Sequence, residues 1–254
     1  MVAKRSLTRS RVTPVVISLL VLLALWEGAI VLFNIPPFVL PRLGTIVQHA
    51  ASNFGKLSGA LWATLGEAVG GYALGSVLGL LLAVAMLLVK PLERIVLPLA
   101  VAVNSVPTVA YAPIFLIWFG LGPASKVALI TLAVGFTMLV NALHGLKLAD
   151  ESAVNLMRSF GAGPLGIVWR LRLPCAMPSV VTALRISVPR SMIVAIVGEM
   201  LGAYGGLGRV IYESTQQIDL LSVWSAVLFA SVASMVAYGA LVWLDQKLVW
   251  WRST

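Results

Sequence analysis

The sequence predicts an all-α membrane protein with six transmembrane helices and a cytoplasmic helix between the fourth and fifth spans. Three observations carry that prediction. Of 254 residues, 60% are hydrophobic and only 11% charged, against about a quarter charged in soluble domains. With a mean hydropathy of +1.00, so much apolar surface needs the bilayer as part of its solvent. Apolar runs of about 20 residues, the length that crosses a bilayer core as a helix, recur six times.

The first run, Pro14–Phe33, follows the basic segment MVAKRSLTRSR and carries no small-residue cleavage site. It reads as a retained anchor, dividing the chain into a cytoplasmic N-terminus (1–13) and one transmembrane domain (14–254). After it, NIPPFVLPRLG is too rich in proline for a helix interior. The following TIVQHAASNFGKL sets Ile46, Val47, Ala50 and Phe54 on one side of a short interfacial helix. The second run, Leu61–Val89, is long for one span. Its Gly66, Gly70, Gly71, Gly75 and Gly79 recur near helical spacing, which predicts a seam where another helix approaches closely.

The third run, about 95–119, contains NSVPTVAYAP, and Pro107 and Pro113 must interrupt its helix. A broken helix in a membrane packs on protein or lines a cavity. Asn104, Ser105, Thr108 and Tyr111 are therefore candidate pathway groups, with interhelical hydrogen bonding as the plainer alternative. The fourth run is Ser125–Leu146, the fifth about 179–201 and the sixth Leu221–Val242.

Twelve of the 18 basic residues fall on the side of the N-terminus: Lys4, Arg5, Arg9, Arg11, Lys90, Arg94, Lys147, Arg158, Arg170, Arg172, Lys247 and Arg252. Arg42, Lys56, Lys126 and Arg209 fall on the other side, with Arg185 and Arg190 inside the fifth span. That asymmetry places both termini in the cytoplasm and accounts for the net charge of +9 without a nucleic-acid partner. With Cys175 alone and His49 and His144 far apart, the chain offers no disulfide and no metal-ligand spacing.

Charges inside the spans need partners. Glu27 and Glu199 lie near outer ends, where they can snorkel, as Arg185 can on the inner side. Arg190 sits mid-span beside Pro189. Glu199 is nine residues away on the same helix, half a turn out of phase and about 13 Å along the axis. Arg190 therefore requires Glu67, a carbonyl or a substrate anion.

The connection at 147–178 is the longest on the cytoplasmic side. In KLADESAVNLMRSFG, Ala153, Leu156, Met157 and Phe160 recur at i, i+3, i+4, i+7, one face of a short helix. Asp150 or Ser152 caps its start and Gly161 ends it. Gly161, nine intervening residues and then Leu171-Arg172-Leu173-Pro174 match the second half of the motif EAA-x3-G-x9-I-x-L-P. That motif marks membrane subunits of bacterial ABC importers. Leu171 replaces the isoleucine, and Asn155, Leu156 and Met157 replace the EAA triplet, removing its acidic residue. VLPRLGTIV, SVPTVAYAPIFLIWFGLGPASKV and GEMLGAYGGLGRVI further resemble the nitrate/sulfonate/taurine permease group and its thiamine-precursor and riboflavin relatives.

The resemblance implies a permease subunit of the bacterial inner membrane that is not itself an enzyme. It implies that Ala153, Leu156, Met157, Phe160, Gly161 and Pro174 belong to a coupling helix and its exit, docked on one of two separate ATP-binding cassette subunits that hold ATP and Mg. It also implies a homodimer, and a periplasmic or lipid-anchored binding protein that delivers substrate to the 34–60 and 203–220 segments. The chain lacks G-x-x-x-x-G-K-[ST]; its nearest stretch, Phe54-Gly55-Lys56-Leu57, has neither the first glycine nor the hydroxyl residue. Glu67, Arg190 and Glu199 join the pathway candidates for a small nutrient, nitrate-, sulfonate- or taurine-like or a heteroaromatic vitamin precursor, and a carboxylate at Glu67 near the path tilts the choice from an anion toward a neutral or heteroaromatic one. The competing reading is a self-contained ion-driven carrier or channel with Glu67 as its ion site. It expects an internal repeat, which the sequence does not show. A membrane enzyme is disfavoured by the lack of clustered His, Asp or Cys.

Overall fold

The computed structural model describes residues 4–248, so Arg252 lies outside the described residues. No strand occurs among them, and helices account for nearly all of the chain. α1 (Lys4–Leu32) continues through the basic segment expected to precede the first span. Its described apolar side chains, Ile17 and Leu20 among them, are mostly exposed, the surface lipid would cover. Its far end is tied down. Glu27 Oε1 accepts from the Leu43 N–H at 2.8 Å, and the Trp26 indole donates to the Pro41 carbonyl while packing edge-on against Trp224.

α2 (Leu43–Ser52) is the expected short helix, but its face splits. Ile46 and Ala50 turn into the bundle while Val47 and Phe54 stay exposed. α3 (Phe54–Leu88) begins seven residues before the apolar run and has 35 residues. At 1.5 Å per residue it is about 50 Å long, well beyond a hydrocarbon core of about 30 Å. α4 (Lys90–Ser105) and α5 (Ala112–Phe119) make up the third run, separated by a 3-10 turn at Thr108–Tyr111 and bent by 90°. The two prolines act as expected: Pro107 holds the extended backbone of the break, and Pro113 starts α5, where a missing N–H costs nothing.

α6 (Pro123–Lys147) runs through the centre and packs most extensively on α3. The glycine seam explains why. A Cβ at Gly75 would stand 2.8 Å from the Thr131 carbonyl oxygen and 3.0 Å from the Gly135 nitrogen, and one at Gly79 would enter the Gly135 carbonyl. Gly71 meets Ile130 in the same way. Gly70 touches Val127 loosely and Gly66 faces open space, so the seam is shorter than its sequence pattern.

α7 (Glu151–Ser159) follows. α8 (Pro164–Ile167), a π turn at Val168–Arg172 and α9 (Leu173–Leu201) then form one 38-residue helix. The fifth span thus starts some fifteen residues before its apolar run, and Arg170, Arg172 and Pro174 lie in helix, not in a loop. α10 (Leu207–Gln216) and α11 (Leu220–Leu248) complete the fold. Among the described residues, four helices are long and apolar enough to cross a membrane, five if the bent α4–α5 pair counts as one span. The apolar stretch of α1, Ile17–Leu32, is shorter.

Three of the four core clusters stack along the bundle, the fourth lying at α7. One gathers Met86, Leu143 and Ala176 near the α7 end, the second Ile130, Val134 and Ala195 midway, the third Leu57, Leu207 and Ala226 near α10. All three depend on α3 lying close to its neighbours. Replacing Gly79 by Val should cost at least about 1–3 kcal/mol through overpacking, while Gly66→Val should be nearly neutral. Thermal unfolding of the two variants in detergent, read beside the parent, checks the contrast.

Candidate functional site

α7 is built to keep its shape. Asp150 Oδ1 accepts from the Ser152 N–H at 3.0 Å, capping the first turn. Gly161, at φ +81°, closes the last turn, and the N–H groups of Gly161 and Ala162 donate to the carbonyls of Arg158 and Met157. The expected apolar face divides in two. Met157 packs inward beside Val154, which is fully buried with Ala149 and Ile167. Ala153 is half-buried, while Leu156 and Phe160 project, 59% and 83% exposed. The anchor Val154 went unread because the i, i+3, i+4, i+7 pattern took its neighbour Ala153.

The segment after Gly161 folds back as helix. In its π turn the Leu173 N–H donates to the Val168 carbonyl, five residues back. Pro174 follows immediately. Having no N–H and clashing with the carbonyl four residues before it, a proline is accommodated by such a widened turn. Arg172 leaves this turn toward α6 and α7: Nη1 donates to the Leu146 carbonyl at 3.2 Å and Nη2 to Glu151 Oε1 at 3.1 Å.

At the break between α4 and α5, Asn104, Thr108 and Tyr111 line a cavity of about 370 Å³ with Thr131, Phe136 and apolar residues of α3 and α4. Ser105 is not part of it; its hydroxyl turns back to the Val101 carbonyl at 2.8 Å. Arg190 reaches across from α9, donating to Thr137 Oγ1 at 3.2 Å and to Asn104 Oδ1 at 3.4 Å. Its partners are the neutral groups of α4 and α6, not Glu67.

Glu67 stands elsewhere, with Glu199 and Lys126. The expectation for Glu199 is corrected: it is 1% exposed and does not snorkel, and Lys126 beside it is equally buried. Lys126 Nζ donates to the carbonyls of Leu121 at 2.7 Å and Gly122 at 3.2 Å. Glu199 Oε2 accepts from the Gly208 N–H at 2.7 Å and the Thr64 hydroxyl at 3.0 Å, and Thr64 Oγ1 accepts from the Leu207 N–H at 2.8 Å. The carboxylate therefore caps α10, where free N–H groups and the helix dipole favour negative charge. Gly206 and Gly208 are required by it: a side chain at Gly206 (φ +100°) would occupy the Glu199 carboxylate, and one at Gly208 the Ile196 carbonyl. Arg185 pairs with Asp245 of α11 rather than reaching outward.

The arrangement holds a capped helix with an apolar tip at one end, a broken helix around a cavity midway and a buried charge cluster at the other end. None of these is a catalytic constellation, and no metal-ligand group occurs among the described residues. Residues 75–250 match the family described as "Binding-protein-dependent transport system inner membrane component". The chain belongs to this family. It is an ABC permease subunit, a multi-pass protein of the inner membrane, and not an enzyme.

Two relatives align with the permease over nearly its whole length. The formylaminopyrimidine transport permease protein ThiX of Halalkalibacterium halodurans is 36% identical over 238 residues, covering 92% of this chain and 93% of the relative. The taurine transport system permease protein TauC of Escherichia coli is 27% identical over 242 residues, covering 92% and 88%. A solved chain of the MetNI methionine ABC transporter in inward-facing conformations shares the fold, with a TM-score of 0.59 at 21% identity, covering 74% of this permease and 97% of that chain. Within this fold Glu199 is predicted to be a structural keystone. Glu199→Ala should lower stability by about 1–3 kcal/mol, since it strands the buried Gly208 N–H. Glu213→Ala, which loses only the exposed pair with Arg209, should change it by about 0.5 kcal/mol or less; chemical unfolding in micelles measures both.

Proposed function

We propose that this permease forms the translocation pathway of an ABC importer for a small nutrient, with α7 as its coupling helix. The observation that carries the reading is the tip of α7. Leu156 and Phe160 are four residues apart on one side of a helix capped at both ends and anchored by Val154, yet they face away from the protein. A rigid helix that offers a phenyl ring and an isobutyl group to the outside is suited to docking in a groove of another protein. The partner is an ATP-hydrolysing subunit that holds ATP and Mg; closure of two such subunits would draw two α7 helices together and swing the helices attached to them.

In this reading the chain pairs with a second copy and crosses the membrane six times: α1, α3, the bent α4–α5 pair, α6, α8–α9 and α11. Both termini and α7 lie in the cytoplasm, as the lysine and arginine distribution favours. A binding protein delivers substrate to the opposite face, near α2 and α10. The cavity beside Asn104, Thr108 and Tyr111 lies within the size range of small-molecule sites. Its apolar walls and few polar groups suit a flat heteroaromatic nutrient, in line with the name of the formylaminopyrimidine relative. Glu67 does not bear on this choice, since it packs against Glu199 and Lys126 and is not among the lining residues. That packing also weakens the carrier alternative, which needs Glu67 on a path.

Affinity purification from membranes in mild detergent, with mass identification of the co-eluting chains, is the test. An ATP-binding cassette subunit should co-elute with the parent, and Leu156→Asp with Phe160→Asp should reduce its yield about tenfold or more, as expected when apolar anchors are lost from a docking site. A parent that elutes alone under several mild detergents would overturn the assignment.

A further inference from the structure

At the α7 end of the bundle, three helices converge on one guanidinium. Arg172 belongs to the π turn at the root of α9, and its side chain is 12% exposed. One arm reaches the carbonyl of Leu146, among the last four of α6, which have no partner within their own helix. The other arm reaches Glu151 in the first turn of α7. The next residue along α6, Lys147, pairs with Glu93 in the first turn of α4. Two polar contacts joined by the Leu146–Lys147 backbone therefore connect α7, through Arg172, to the ends of α6 and α4. The other end of α4 carries Asn104 and the break that lines the cavity.

The backbone offers a poorer connection between α7 and α9. It passes through Gly161, at positive φ, and Gly163, neither of which has a neighbour where its Cβ would be. The apolar cluster around Val154 holds α7 close, but apolar contact is non-directional and does not fix the helix against rotation. A guanidinium makes two directed contacts at once in a fixed plane, which a lysine cannot.

We infer that Arg172 is a positioning residue that transmits movement of α7 to the roots of α6 and α9 and, through Lys147 and Glu93, to the cavity-lining helix α4. The inference rests on α7 being the coupling helix. It predicts that loss of Arg172 leaves ATPase docking and hydrolysis intact and disconnects them from the cavity.

The test uses the complete transporter in proteoliposomes, with exposed Cys175 changed to Ser and a single cysteine introduced by Thr108→Cys. The rate of modification by a small maleimide is measured without nucleotide and after trapping with ADP and vanadate. Trapping should change the parent's rate about fivefold or more, and that of Arg172→Gln less than about twofold, with Arg172→Lys and Glu151→Gln between them. ATPase yield and basal hydrolysis should stay near the parent's in all three. A full nucleotide response in Arg172→Gln overturns the inference. So does loss of the ATPase from that variant, which would make Arg172 a docking or folding residue, and so does a parent whose cysteine ignores nucleotide. Failure of the coupling-helix assignment is separable, because the parent would then carry no ATPase before any variant is made.

Discussion

The approach of α3 to α6 is the constraint on which the rest of the permease depends. Lipid tails are as apolar as leucine, so two helices gain nothing from hiding hydrocarbon on one another and must be held by close contact. Gly71, Gly75 and Gly79 provide it, bringing the α3 backbone against Thr131, Gly135 and Leu139. Gly79 and Gly135 also lie in the wall of the cavity. The same small residues that hold the bundle together thus form part of the cavity wall, and α6 is the element against which α3, α5 and α9 pack.

Several polar groups within the bundle find their partners on a different element. Arg185 of α9 meets Asp245 of α11, Arg190 meets α4 and α6, Glu199 meets Thr64 of α3 and the start of α10, and Tyr72 of α3 donates to the Leu184 carbonyl of α9. In a medium without water these are the directional contacts that select one arrangement among many with equal apolar packing. Their distribution is uneven. The α10 end is locked by buried groups, while the α7 end is held by exchangeable, half-exposed pairs such as Lys147–Glu93 and Arg172–Glu151. The two ends are built from different chemistry.

Much of this was legible in the sequence because it is written locally. The proline break and the glycine that ends α7 each follow from a few adjacent residues, and the structure places them where the pattern does. Arg190 was recognised as needing a partner, but which partner was a question of how α4, α6 and α9 cross, and no spacing in the chain encodes that. Lys126 was counted with the charges of the outer side; only the fold shows its stem lying against Gly198, whose Cβ would touch it. Helix ends were misjudged wherever apolar character stopped before hydrogen bonding did, as in the early start of α9 and of α3.

The π turn at Val168–Arg172 has a geometric consequence of its own. Such a turn is an α-helix carrying one extra residue, and one residue corresponds to about 100° of helical phase. The helix on either side of it therefore obeys two different phase conventions. Before the turn, Ile167 is set by its fit to Val154 and Ala149; after it, Val180 and Ala183 are set by their fit to α3 and α6. Because the extra residue absorbs the mismatch, the part of the helix that answers to α7 and the part that answers to the bilayer need not agree on which way is inward.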